Sequence, residues 1–166
     1  MPNIADVLTQ DHLRIDRLFQ QFERTRDPVV VLEACELLER HTEIEERCVY
    51  SVLRQQVSQL MADHADDEHQ DVADLIDEVR SCDMEDRFVQ LVTLLRHAIR
   101  SHVEEEESRV LPAMQRKLGQ AAMDRLGTTF LEARRELGRS VLDVTEPTEM
   151  TLLVREGTER GRLTTT

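Results

Sequence analysis

The chain has no tryptophan, one tyrosine and four phenylalanines among 166 residues. It also has only five glycines and four prolines. So few turn residues and so few β-branched clusters argue against a sandwich or barrel; abundant Leu, Glu, Arg and Ala favour an all-α domain. Its three cysteines, Cys35, Cys48 and Cys82, are an odd number with no C-x-x-C pair. This suits a reducing, cytoplasmic setting better than a disulfide framework. Cys48 and Cys35 read as small core residues. No apolar run reaches the ~20 residues needed to span a bilayer, and the amino terminus lacks the basic start and apolar run of a secretory signal. The net charge of −13 speaks against nucleic acid or an anionic membrane as a partner. It suits a solvated acidic surface, or carboxylates gathered around cations. The length is that of one domain, able to bury a core without staples.

Apolar residues recur at steps of three and four. A first helix is expected over about residues 3–26, capped by Asn3. Asp27 and Pro28 then read as N-cap and first residue of a second helix, to about 59. A third follows at about 61–80, then polar caps in "SCDMED", then a fourth at about 84–118 that Pro112 should kink or end. Gly119 breaks the chain. A shorter helix follows at about 120–137, weakened by Gly127 and capped by Gly138. Residues 1–137 thus form an up-down four-helix bundle with an extra C-terminal helix, and 138–166 a short tail, "MTLLVREGTERGRLTTT" being either a strand or a loose end.

The apolar stripes have polar gaps. The first runs Ile4, Leu8, His12, Ile15, Phe19, and the second Ala34, Leu38, His41, Glu45, Cys48, Val52. The third runs Met61, Ala65, His69, Val72, Ile76, and the fourth Leu95, Ile99, His102, Glu106, Val110, Ala113. Every helix therefore aims an imidazole inward, and two add a carboxylate one turn on, on the same face. Two ionised carboxylates and four imidazoles buried without partners would exceed a domain's margin of about 5–15 kcal/mol. A bound cation is the simplest compensation.

The chain also repeats itself. "DHLRIDRLF" from Asp11 matches "EHQDVADLI" from Glu68, and "HTEIEERCVYSVL" from His41 matches "HVEEEESRVLPAM" from His102. His12 and His69 are 57 residues apart, His41 and His102 61 apart. Two equivalent half-sites of two His and one Glu suggest two metal ions, bridged by the glutamates.

These six positions, His12, His41, Glu45, His69, His102 and Glu106, resemble the ligand pattern of the hemerythrin-like, or HHE cation-binding, domain. The resemblance covers about residues 3–118. It implies two iron ions in an oxo- or hydroxo-bridged di-iron centre that binds or reacts with dioxygen, peroxide or nitric oxide, with catalase-like peroxide removal as one activity. The alternative it implies is a regulatory module that senses iron, oxygen or redox state and acts through a protein partner. Six mixed N and O donors exceed the four of a closed zinc site, and the resemblance tips the choice to iron. Dioxygen-carrying hemerythrins have a further histidine one turn from the third-helix ligand. Here Ala65 holds that place, with Ala98 as its fourth-helix equivalent, and both should leave room near the metals. His64 and His97 lie about 140° around their helices from the ligands and read as flanking, or as a seventh ligand where a helix is locally irregular. Glu46, Glu68, Glu105 and Glu107 read as surface acids or as carboxylates that orient the ligand histidines. Tyr50 reads as a wall residue.

Overall fold

The computed structural model describes residues 2–144, with side chains through Gly138. The described part is helical and contains no strand. Its helices are α1 (Ile4–Thr25), α2 (Pro28–Glu45), α3 (Gln59–Ser81), α4 (Glu85–Glu105), α5 (Leu111–Leu118) and α6 (Gln120–Val144). α1 packs on α2 and α3 on α4, while α2–α3 and α1–α4 contacts close the ring. The chain divides into a compact unit of residues 1–134, which holds the bundle and all six proposed ligands, and a second unit of 135–166. No described helix is long and apolar enough to cross a membrane.

Local chemistry sets the helix ends. Asn3 caps α1 by accepting from the Ala5 N–H at 2.9 Å. α1 stops at Arg26, whose positive φ of 56° returns its N–H to Phe22 O. Asp27 then caps α2 through the Val29 N–H at 3.0 Å, with Pro28 in the first turn, where its missing N–H costs nothing. The polar stretch before α4 does not act as expected: Met84 holds the N-cap position and gives no side-chain cap.

Two departures from regular helix matter more. π turns lie at the His/Glu pairs of the second and fourth segments, Glu46–Tyr50 directly after Glu45 and Glu106–Val110 beginning at Glu106, and a third lies at Leu53–Val57. A π turn inserts one residue into the helical period. The buried stripe of the second segment therefore continues through Val49, Tyr50 and Leu53 rather than Cys48 and Val52, and Cys48 is only half-buried. The fourth segment slips identically, burying Val110, Leu111 and Met114 rather than Ala113. Pro112 sits in the first turn of α5, just after its π turn.

α6 runs through Gly138 to Val144, so Gly138 is not a cap. The expected helix end rested on glycine alone; nothing around Gly138 forces a turn, and a Cβ there would meet open space. Gly127 does have a structural reason. A Cβ at that position would lie 2.1 Å from Pro2 O, so α6 crosses the start of α1 in backbone contact. The segment "MTLLVREGTERGRLTTT" lies outside the described residues.

In all four bundle helices the proposed ligands share a face with apolar residues. On one side an apolar cluster includes Phe19, Leu38, Ile76, Leu95 and Ile99. Each such side chain contributes about 1.5–3 kcal/mol on burial, which supports the polar layer built beside it.

Candidate metal centre

All six proposed ligands are buried: His12, His41, His69 and His102 are 4–7% exposed, Glu45 and Glu106 0–1%. They share one polar layer. Nε2 of His41 lies 3.3 Å and Nε2 of His69 3.6 Å from the same oxygen of Glu45. Nε2 of His12 lies 3.4 Å from Glu106, and the Nε2 atoms of His69 and His102 are 3.2 Å apart. Glu45, His69 and His102 bring one donor atom each within 4.8 Å of one another.

Each ring turns its other nitrogen to a carboxylate. Nδ1 of His12 faces Glu107 at 2.8 Å, His69 faces Glu46 at 2.9 Å, His102 faces Glu68 at 2.9 Å, and His41 faces Asp11 at 3.4 Å. A ring whose Nδ1–H is given to a carboxylate keeps the Nε2 lone pair for a metal and becomes a stronger donor. The repeat explains the arrangement. Asp11 and Glu68 occupy matching places just before His12 and His69, and Glu46 and Glu107 follow the two ligand glutamates. Three of the four flanking glutamates thus orient histidines. Glu105 instead pairs with Arg109 and His64.

The layer lacks internal partners. Among the described residues seven buried side-chain polar atoms make no hydrogen bond, and six belong here: Nε2 of His12 and His41 and both carboxyl oxygens of Glu45 and Glu106. At about 1–3 kcal/mol for each unsatisfied group, such a set rivals the whole stability margin. The orphaned donors and their inward aim fit a metal centre.

The charge state of the metal-free protein follows from burial. Burial and the neighbouring Glu45 charge push the Glu106 carboxyl well above its ordinary range, which favours its neutral form. Burial also disfavours charge on His41, but Glu45 and Asp11 outweigh it and raise His41 to about 9. Burial would raise Glu45 as well; His41 overcomes this and holds it ionised. Burial lowers His12 and His69.

Three participants were not expected. Tyr50 is fully buried. Its hydroxyl lies 3.3 Å from Nε2 of His69 and 3.4 Å from Nε2 of His102, and its ring stacks on His69 at 5.1 Å. Read as a wall residue from ideal helical spacing, it is turned inward by the π turn. Its counterpart in the repeat is Leu111, so the two halves differ here. Asp11 was visible only as an acid in the repeat, and Arg134, which donates to it, lies 123 residues away. His64 is exposed beside Glu68 and Glu105 and His97 is exposed, so neither joins the centre. Ala65 is buried, and Ala98 packs against the apolar cluster.

A DNA nickase of Nostoc sp. (strain PCC 7120 / SAG 25.82 / UTEX 2576) is 24% identical over 144 residues, covering 81% of this chain and 40% of the nickase. The chain therefore spans less than half of that relative. No solved structure matches the chain. The hemerythrin HHE cation binding domain matches residues 3–114, a stretch that contains every buried His and Glu of the centre. The chain belongs to the hemerythrin HHE cation-binding domain family.

Proposed function

We propose that the polar layer holds two iron ions and that the protein reacts with dioxygen or peroxide, removal of hydrogen peroxide being the activity to test first. The observation that supports this reading is the convergence of four carboxylate-backed imidazoles on two buried carboxylates whose oxygens have no hydrogen-bond partner. His69 and His102 would hold one ion, with the Tyr50 hydroxyl beside them, and His12, His41 and Glu106 the other. Glu45, within 3.3–3.6 Å of Nε2 on both His41 and His69, would contribute its carboxylate beside both. When bound, iron supplies redox chemistry toward dioxygen, peroxide or nitric oxide.

The chain's own part is to orient and to insulate. Glu46, Glu68, Glu107 and Asp11 fix the Nδ1 side of each ring, so the Nε2 donors need no reorganisation. The surrounding apolar residues exclude water. Ala65, buried one turn before His69, adds no further ligand to α3, which is consistent with an open position of the kind that separates reactive from closed sites. The net charge of −13 disfavours a nucleic-acid backbone as the target.

The test compares hydrogen peroxide consumption by the iron-loaded protein with that by the same concentration of free iron. Turnover above free iron, lost in His69→Ala, is the expected result. Equal turnover in all three samples overturns the peroxide reading. Spectra that respond to nitric oxide or dioxygen, with no turnover, would favour a sensing role.

A further inference from the structure

The four carboxylates that face the ligand histidines are not alike. Glu46, Glu107 and Glu68 have side chains 48%, 37% and 21% exposed, so water can satisfy their remaining lone pairs. The Asp11 side chain is 10% exposed. A buried carboxylate needs a protein partner in place of that water, and here it is an arginine. Nη2 of Arg134 donates to Oδ2 of Asp11, the same oxygen that faces Nδ1 of His41 at 3.4 Å. The Arg134 guanidinium carbon lies 5.2 Å from the Phe130 ring centroid, and that ring meets His41 edge-on at 6.0 Å. Two residues one turn apart on α6 thus bear on the same histidine, Phe130 directly and Arg134 through Asp11. Both lie beyond the family match at residues 3–114. The other half of the repeat has no equivalent, since Glu68 has the exposed His64 as its second neighbour.

We propose that Arg134 is a positioning residue of the metal centre, holding the Asp11 carboxylate on Nδ1 of His41 and so aiming Nε2 of His41 inward. The metal consequence rests on the metal-centre reading; the pairing itself is testable without metal.

The experiment uses the full chain and the variants Arg134→Met, Arg134→Lys, Asp11→Asn and the Arg134→Met/Asp11→Asn double variant. Nitrogen-15 imidazole spectra of the metal-free proteins report the His41 Nδ1 proton, assigned by its absence in His41→Gln. Iron(II) and zinc titrations report affinity. Arg134→Met is expected to lose the protected Nδ1 proton signal and to bind metal about 10–100-fold more weakly, the usual effect of losing an outer partner. Arg134→Lys should recover part of both, because it keeps the charge but not the planar fork. The double variant should match Asp11→Asn alone, since the two residues act as one unit. A wild-type Nδ1 signal and unchanged affinity in Arg134→Met overturn the proposal, even with a lower Tm, because Arg134 would then only clamp α6. Additive losses in the double variant overturn it too. A wild-type chain that binds no metal sinks the metal-centre reading instead, and the metal-free spectra alone then decide the positioning role.

Discussion

Replacing Glu106 by methionine should stabilise the metal-free protein and destabilise the metal-loaded one relative to wild type. Glu106 is 1% exposed, and neither carboxyl oxygen has a hydrogen-bond partner. Burial and Glu45 disfavour its charged form, which weakens any ion pairing with His12 that the substitution removes. Leaving a buried polar group unsatisfied costs about 1–3 kcal/mol, and methionine fills a similar volume with a flexible apolar chain. For a chain of this size the gain corresponds to a rise of about 2–4 °C in Tm per kcal/mol. Metal reverses the order. A ligand at a thousand times its Kd stabilises the folded state by about 4 kcal/mol per site, and the variant forfeits part of that. Thermal unfolding by circular dichroism, with chelator and then with anaerobic iron(II), would read both arms. A variant that melts below wild type in chelator refutes the reasoning, because the carboxyl would then be well satisfied without metal.

Four further outcomes follow. Metal uptake at pH 7 should release at least one proton, from His41, raised to about 9, because ligands bind deprotonated; calorimetry in two buffers of different ionisation enthalpy that found none would contradict the His41 assignment. In sign, protonated His41 stabilises the metal-free fold fully below about 6.5 and loses that contribution as pH rises through about 9. Gly127→Ala should lower stability by about 1–3 kcal/mol as an overpacked contact, since its Cβ would meet Pro2 O; an unchanged urea midpoint would contradict the close crossing. Burial raises the Cys35 thiol from 9.0 to about 11, so alkylation at pH 8 should leave Cys35 unmodified until urea unfolds the chain. Its neutral thiol likewise favours the fold below about 9 and stops doing so as pH climbs through about 11. Tyr50→Phe should keep the fold and alter the visible spectrum of the iron-loaded protein, whereas an identical spectrum would place the hydroxyl outside the metals' reach.

The buried polar layer was legible because a helix repeats its inward face every three to four residues, and polar residues in that register stand out. His12, His41, His69 and His102 could be picked from six histidines on spacing alone, and His64 and His97 set aside. Glu46, Glu68 and Glu107 were legible as neighbours of that layer in the chain. Tyr50 was not, because ideal spacing was carried past Glu45 and the π turn advances the register by one residue. The same slip moved Cys48 partly outward and Met114 fully inward. Arg134 was illegible for another reason: its partner Asp11 is distant in sequence, and only the crossing of α6 over α1 at Gly127 brings the two elements together. Gly138 misled because a glycine permits a helix to end without requiring it.

The most direct test of the central claim is anomalous diffraction at the iron edge from crystals of the iron-loaded protein. Two iron peaks inside the layer formed by His12, His41, Glu45, His69, His102 and Glu106 are the expected result. Peaks on the acidic surface alone, or an iron-free layer in which these six side chains keep their mutual contacts, would contradict it.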